Sequence, residues 1–243
     1  MSRFVLVHGA WLGAWCWDEV AGNLRSSGHD VVVPDLPGHG NDRTPVSAIS
    51  LDSYVDTVAR VTTAGSIVVG HSMAGIVLSS LAERMPEAIS SLIYVAAYLL
   101  QSGDSIVRMS EIATDSLVGP NMVPAPDWST ISIKPEALQQ VFAADAPPPA
   151  IERLQSLARP EPAAPFNTPL KLSPAKFGKV ARSYIKTVQD RAVTPRLQDA
   201  MLAKTPCGQV VSLNTSHTPF FAAADELAST LAQLAAQQEV VRA

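Results

Sequence analysis

Short runs of aliphatic and β-branched residues alternate along the first hundred positions with stretches in which apolar residues recur every three or four places. The run Phe4–His8 predicts a buried strand, followed by a helix whose inner face carries Trp17, Val20, Ala21 and Leu24 and which Gly28 ends. Asp30–Pro34 predicts the second strand. Ser50 suits the cap of a helix with Leu51, Tyr54, Val55, Val58 and Val61 in one stripe. The β-branched run from Ser66 to Gly70 predicts a third strand, Met73 to about Arg84 a third helix, and Leu92–Ala97 a fourth strand. Strand and helix in strict alternation build a mostly parallel, doubly wound α/β sheet with helices on both faces.

The rhythm stops near Gly103. Most of the 19 prolines, but only Gly119 and Gly178 of the 13 glycines, lie between Asp104 and Lys179. Leu138, Val141, Phe142, Ile151, Leu154 and Leu157 keep helical spacing there, so the segment reads as an inserted, mainly helical cap of short helices and Pro-stiffened connections rather than a disordered linker. From Val180 the alternation resumes, with strands at Ser183–Val188 and Gln209–Leu213 and a closing helix whose inner face holds Leu227, Leu231 and Leu234. The expected organisation is a core domain of residues 1–103 and 178–243 with a cap at 104–177.

Composition narrows the function class. The 243 residues are 47% hydrophobic and 16% charged with a net charge of −4, and no basic run marks a nucleic-acid or membrane partner. No apolar run approaches the ~20 residues of a membrane span. A strand pattern begins almost at Met1, which leaves no room for a signal peptide and makes a cytoplasmic location the expectation. Cys16 and Cys207 stand far apart without metal-ligand neighbours and read as reduced packing residues; no metal or organic cofactor is expected.

Candidate chemistry gathers where strands end. In an open parallel sheet the loops at the carboxyl ends share one edge, and ligands bind there. Ser72 lies between the third strand and its helix, in a tight turn that demands small neighbours; Gly70, Ala74 and Gly75 supply them, with Ala74 where a second Gly usually completes G-x-S-x-G. Asp190 and His217 each follow a later strand, and the order Ser, Asp, His suits such a sheet. A serine hydroxyl needs a base near working pH, and a His held by a carboxylate provides one. Asp104 is the competing acid; Asp190 sits closer to its strand end. His71 is expected to be structural and turned from the nucleophile, His39 to stabilise a turn, His8 to support the Gly9 loop and His29 to lie on the surface. The backbone N–H groups of Ala10 and Met73 are the candidate oxyanion donors. Trp11 and Trp128 are candidates for contact with substrate.

Phe4-Val-Leu-Val-His-Gly-Ala10, Gly70-His-Ser-Met-Ala-Gly75, Tyr184-Ile185 with Asp190-Arg-Ala-Val193 and Gln198, and Ser216-His-Thr-Pro-Phe-Phe221 together resemble the α/β-hydrolase superfamily. More narrowly they resemble the branch of plant methylesterases, hydroxynitrile lyases and similar bacterial esterases, with the cap matched only loosely. The resemblance implies a nucleophile at Ser72, acid at Asp190, base at His217 and oxyanion amides at Ala10 and Met73. It implies a serine carboxylesterase acting on a small-molecule ester with an apolar or aromatic portion, and it leaves a homodimer open. Lyases of the branch carry a Thr in the first loop and a Lys after the catalytic His; here Gly9 and Thr218 occupy those places. Carbon–carbon bond hydrolysis by a similar triad and non-catalytic ligand reception on the same fold stay open beside the esterase.

Overall fold

In the computed structural model, which describes residues 1–242 and their side chains to 237, six strands form one all-parallel sheet. The first half runs β1 (Arg3–Val7), α1 (Asp18–Ser26), β2 (Asp30–Val32), α2 (Leu51–Val61), β3 (Ser66–His71), α3 (Ala74–Arg84) and β4 (Ile89–Val95). The segment expected as a cap follows with α4 (Ile106–Ser110), α5 (Val118–Asn121), β5 (Met122–Pro124), β6 (Thr130–Ile133), α6 (Leu138–Phe142), α7 (Pro148–Leu157), β7 (Glu161–Pro162) and α8 (Ala163–Asn167). The chain then returns through β8 (Arg182–Thr187), α9 (Pro195–Lys204), β9 (Gln209–Leu213), α10 (Pro219–Ala222) and α11 (Ala224–Arg242).

Every residue of β3 and β4 is buried, as continuous apolar runs require when helices cover both faces. On one side α1 packs on α11, and elsewhere α2 packs on α3. Ser50 and Ser53 close a reciprocal capping box at the start of α2, and Gly28 ends α1 at a φ of 84°, where a side chain would be strained. Tyr94 and Tyr184, register partners on β4 and β8, stack at 6.3 Å inside the core, and each hydroxyl has a partner: Ser79 Oγ for Tyr94 and the Ala97 carbonyl for Tyr184.

The strand order β2-β1-β3-β4-β8-β9 sets the position of the site. From β1 the chain steps outward to β2, then crosses back to β3 on the other side. The loops after β1 and β3 therefore diverge at the point where the winding reverses, which is where such sheets open a crevice. Val7 pairs with Gly70 in register, so the Gly9 loop and the Ser72 turn emerge side by side.

The cap differs from its sequence expectation in one respect. Alongside its short helices it holds a three-stranded antiparallel sheet, β5-β6-β7. These strands have three, four and two residues, and Pro124 and Pro162 sit within them, so no alternation long enough to read as a strand develops. The ends of the insertion are tied together, Gly103 donating to the Leu170 carbonyl at 2.8 Å and Leu170 to that of Asp104 at 2.9 Å. Among the described residues no helix is long and apolar enough to cross a membrane.

Candidate active site

Ser72 occupies the turn from β3 into α3 with a φ of 54°. The backbone there is fully engaged: its N–H donates to the Val95 carbonyl, and its own carbonyl accepts from Gly75 (3.1 Å) and Tyr98 (3.0 Å). A Cβ at Gly75 would stand 2.3 Å from the Tyr98 carbonyl oxygen, so only glycine fits, whereas the Ala74 methyl is wholly buried in place. A Cβ at Gly9 would lie 2.9 Å from Ser72 Cβ, which shows how closely the first loop is laid against the turn. Ala10 and Met73 line the same cavity as Ser72, and among the described residues neither backbone N–H meets a protein acceptor.

Asp190 and His217 follow β8 and β9 and are brought together across the sheet edge, His217 Nδ1 lying 2.7 Å from Asp190 Oδ2. The same oxygen accepts from the Thr187 hydroxyl at 2.8 Å, while Oδ1 accepts from the N–H groups of Ala192 (2.7 Å) and Val193 (2.9 Å). These three donors besides His217 converge on one buried group, the pattern of a carboxylate acting as acceptor on both oxygens. His217 Nδ1 must then be the donor, which leaves Nε2 unprotonated in the neutral ring. His217 and Ser72 line one small void of about 10 Å³, roughly the space of a single water. Asp104, the competing acid, pairs instead with Arg108, at 3.9 Å, and among the described residues no hydrogen bond joins it to His217.

The remaining histidines divide by what their two nitrogens meet. His8 donates from Nδ1 to the Gly9 carbonyl and accepts at Nε2 from the Leu36 N–H, so it is neutral; burial, and then His39 nearby, lower its pKa to about 3. His71 is not simply turned away. Its Nε2 donates to the His217 carbonyl at 2.8 Å and its ring lies 4.5 Å from that of His217, while burial holds it well below the usual histidine range. His39 meets acceptors on both sides, the Pro37 carbonyl and the Glu161 carboxylate. Burial alone would lower its pKa, but the Glu161 charge and hydrogen bond outweigh it and raise it. His29 is half-buried, its ring edge-on to Phe4 at 5.2 Å, rather than a surface residue.

These directions predict how stability responds to pH. In the unfolded chain His8 and His71 take up protons below about 6.5. In the fold they do not, so the stability they contribute is present above that pH and is lost as pH falls, through about 3 for His8 and through a folded value well below the usual histidine range for His71. Each contributes a slope of about 1.4 kcal/mol per pH unit while only the unfolded chain is protonated. His39 acts in the opposite sense: its contribution is complete below about 6.5 and is lost as pH rises through its raised folded value. Urea midpoints measured from pH 4.5 to 8 should peak near neutrality and fall steeply on the acid side. A midpoint that stays level down to pH 4.5 would contradict the burial of two neutral imidazoles.

Above Ser72 the main sheet's loops and the segment inserted between β4 and β8 line a cavity of about 480 Å³. Trp11, Phe142, Phe166, Met73 and Ile131 form much of its wall, and no charged side chain among the described residues lines it. Trp11 is buried at the floor. Trp128 stands at the mouth, 71% exposed, on the turn joining β5 to β6. Among the described residues no three His, Cys, Asp or Glu side chains gather where a metal could be held.

Several residues that shape the site leave no mark in the sequence pattern. Phe142 in α6 lies 5.7 Å from the His217 ring, and its carbonyl accepts from Ser216 and Thr218; Asp145 accepts from the Ser216 N–H at 2.8 Å and from its hydroxyl. Helical spacing marks Phe142 as apolar, yet nothing in the local pattern points to the loop it holds. Glu161, between two prolines, is wholly buried and accepts from Trp11, His39 and Tyr54.

The model of a family described as "Alpha/beta hydrolase family" matches residues 4–230. Methylesterase 17 of Arabidopsis thaliana is 30% identical over 90% of this chain and 86% of that relative. A pyrethroid hydrolase of Sphingobium wenxiniae is 28% identical over 97% and 88% of the two chains. The crystal structure of an Arabidopsis methylesterase superposes with a TM-score of 0.83 at 26% identity, covering 97% of this chain and 99% of the other.

Proposed function

We propose that this protein is a serine carboxylesterase for uncharged apolar esters, from one premise: the chain belongs to the alpha/beta hydrolase family, in the branch of the plant methylesterases. The names of its relatives support hydrolysis of carboxylic esters. The observation that carries the mechanism is that Ser72 and His217 share one small void while the far nitrogen of His217 is committed to Asp190.

In this reading the ester carbonyl sits over Ser72 with its oxygen toward the N–H groups of Ala10 and Met73. Ser72 Oγ attacks the carbonyl carbon as its proton passes to His217 Nε2, and the two N–H groups stabilise the oxyanion. The His217 proton then goes to the alkoxy oxygen, the alcohol leaves, and an acyl-Ser72 remains. Water, deprotonated by His217, attacks the acyl carbon; the acid leaves and the proton returns to Ser72. Asp190 keeps its negative charge throughout and stabilises the imidazolium.

The cavity supports the substrate class. A volume of about 480 Å³ accepts an acyl or alcohol part well beyond a methyl group, and without a charged lining residue an ionised ester would lose its hydration uncompensated. At the place where similar lyases carry Lys, Thr218 donates its hydroxyl to the Phe142 carbonyl at 2.9 Å, so no cation stands there for a departing cyanide.

The test combines covalent labelling with turnover. A fluorophosphonate should modify Ser72 stoichiometrically, as mapped by mass spectrometry. The enzyme should turn over neutral aryl and branched-chain esters at least ~10-fold faster, in kcat/KM, than anionic esters of equal size, about the discrimination 1.4 kcal/mol provides. A chelator should change neither result. Labelling at another residue would overturn the mechanism, and Ser72 labelling with only a trace of ester turnover would favour ligand reception.

A further inference from the structure

Trp11, the residue after the oxyanion donor Ala10, has a φ of 63°, a region L side chains enter only when their surroundings hold them there. Three hydrogen bonds hold it, and all three come from the cap. Its N–H donates to Glu161 Oε2 at 3.1 Å, its carbonyl accepts from the Arg159 N–H at 2.9 Å, and its indole Nε1–H donates to the Ile131 carbonyl at 2.8 Å. Glu161 is anchored in turn by the core domain: Tyr54 Oη donates to Oε1 at 3.0 Å, and His39 Nε2 donates to Oε2 at 2.8 Å. The carboxylate has no solvent exposure. Burying a charge is costly unless it is fully paired, and apolar packing would be enough to fasten a cap.

We propose that Glu161 is a positioning residue for the oxyanion site: by holding the Trp11 N–H it sets the backbone of the Gly9–Trp11 loop, and with it the direction of the Ala10 N–H toward the carbonyl bound at Ser72. This rests on the esterase reading above. The loop has little room to compensate, because at Gly9 it already lies against Ser72 and His71 with no space for a side chain. With both peptide groups of Trp11 held by the cap, only rotations at Ala10 and Gly9 remain to aim the donor. The cap is then part of the catalytic frame as well as a wall of the cavity.

The experiment compares wild type, Glu161→Gln and Glu161→Leu, with kcat expressed per site titrated by fluorophosphonate and a trifluoromethyl ketone as the probe of oxyanion binding. Gln keeps a carbonyl oxygen for the Trp11 N–H; Leu keeps the volume and removes the acceptor. Glu161→Leu should lose about 10²-fold in kcat per titrated site, the scale of a misaimed oxyanion donor, with KM within about threefold. Its affinity for the ketone should fall by a similar factor. Glu161→Gln should stay within about tenfold of wild type. A residue that only stabilised the fold would lower the melting temperature and the titratable fraction while leaving kcat per site intact. That outcome overturns the proposal, as would Gln and Leu being equally impaired. Should Glu161→Leu not fold, Glu161→Asp, which keeps the charge but draws the carboxylate back, must show the same loss per titrated site. A wild-type protein that neither labels nor hydrolyses esters would refute the esterase reading itself; a wild type that does both beside unimpaired variants would refute only the role of Glu161.

Discussion

Ser72→Ala should fold as the parent does and hydrolyse esters about 10⁴- to 10⁶-fold more slowly, because removal of a nucleophile disables a triad as a unit and leaves only binding and oxyanion stabilisation. The fold should tolerate the change. The turn is held by main-chain bonds to Val95, Gly75 and Tyr98, none of which uses the hydroxyl, and alanine bears the φ of 54° no worse than serine does. The check is kcat/KM on freshly purified protein, beside a thermal melt within a few degrees of the parent. Retention of most of the activity would mean that another group attacks the ester.

Asp190→Asn should also fold and should lose up to about 10⁴-fold in kcat, through the tautomer it imposes on His217. The carboxamide has little choice of orientation. The Ala192 and Val193 N–H groups both point at the Oδ1 position, so the amide oxygen must sit there and the NH₂ must take the place of Oδ2. That NH₂ faces His217 Nδ1, where the parent has an acceptor at 2.7 Å. Nδ1 must then accept, the ring proton moves to Nε2, and the nitrogen that should take the serine proton is already occupied. Asp104→Asn is the control and should be nearly silent, its charged partner among the described residues being exposed Arg108 at 3.9 Å. The reverse pattern in the two variants would transfer the role of the acid to the earlier strand.

The elements that carry Ser72, Asp190 and His217 were legible in the chain because each depends on a local pattern. A β-branched run between turn residues reads as a buried strand, apolar spacing of three and four reads as a helix, and parallel strands deliver their following loops to one edge whatever the side chains in those loops are. The Gly9 and Ser72 loops could be placed together on the same grounds, since adjacent parallel strands emit adjacent loops. Small residues at Gly70, Ala74 and Gly75 announced the tight turn, and the backbone packing against Gly75 shows why they must be small.

What the tertiary structure alone decided lies mainly in the cap. Glu161 meets Trp11, His39 and Tyr54 from more than a hundred positions away, and Asp145 meets Ser216 across 71. Such contacts leave no periodic trace, because they depend on where two segments dock and not on the face either one presents along its own axis. The three-stranded sheet of the cap was hidden for a related reason: its strands are too short and too rich in proline for alternation to develop, and they exist only because they pair with each other. Local pattern thus determined which loops converge. Only the docking of the cap decided which side chains hold the Trp11 and His217 loops, because satisfying a buried carboxylate takes donors from several segments at once, and no single stretch of sequence contains them.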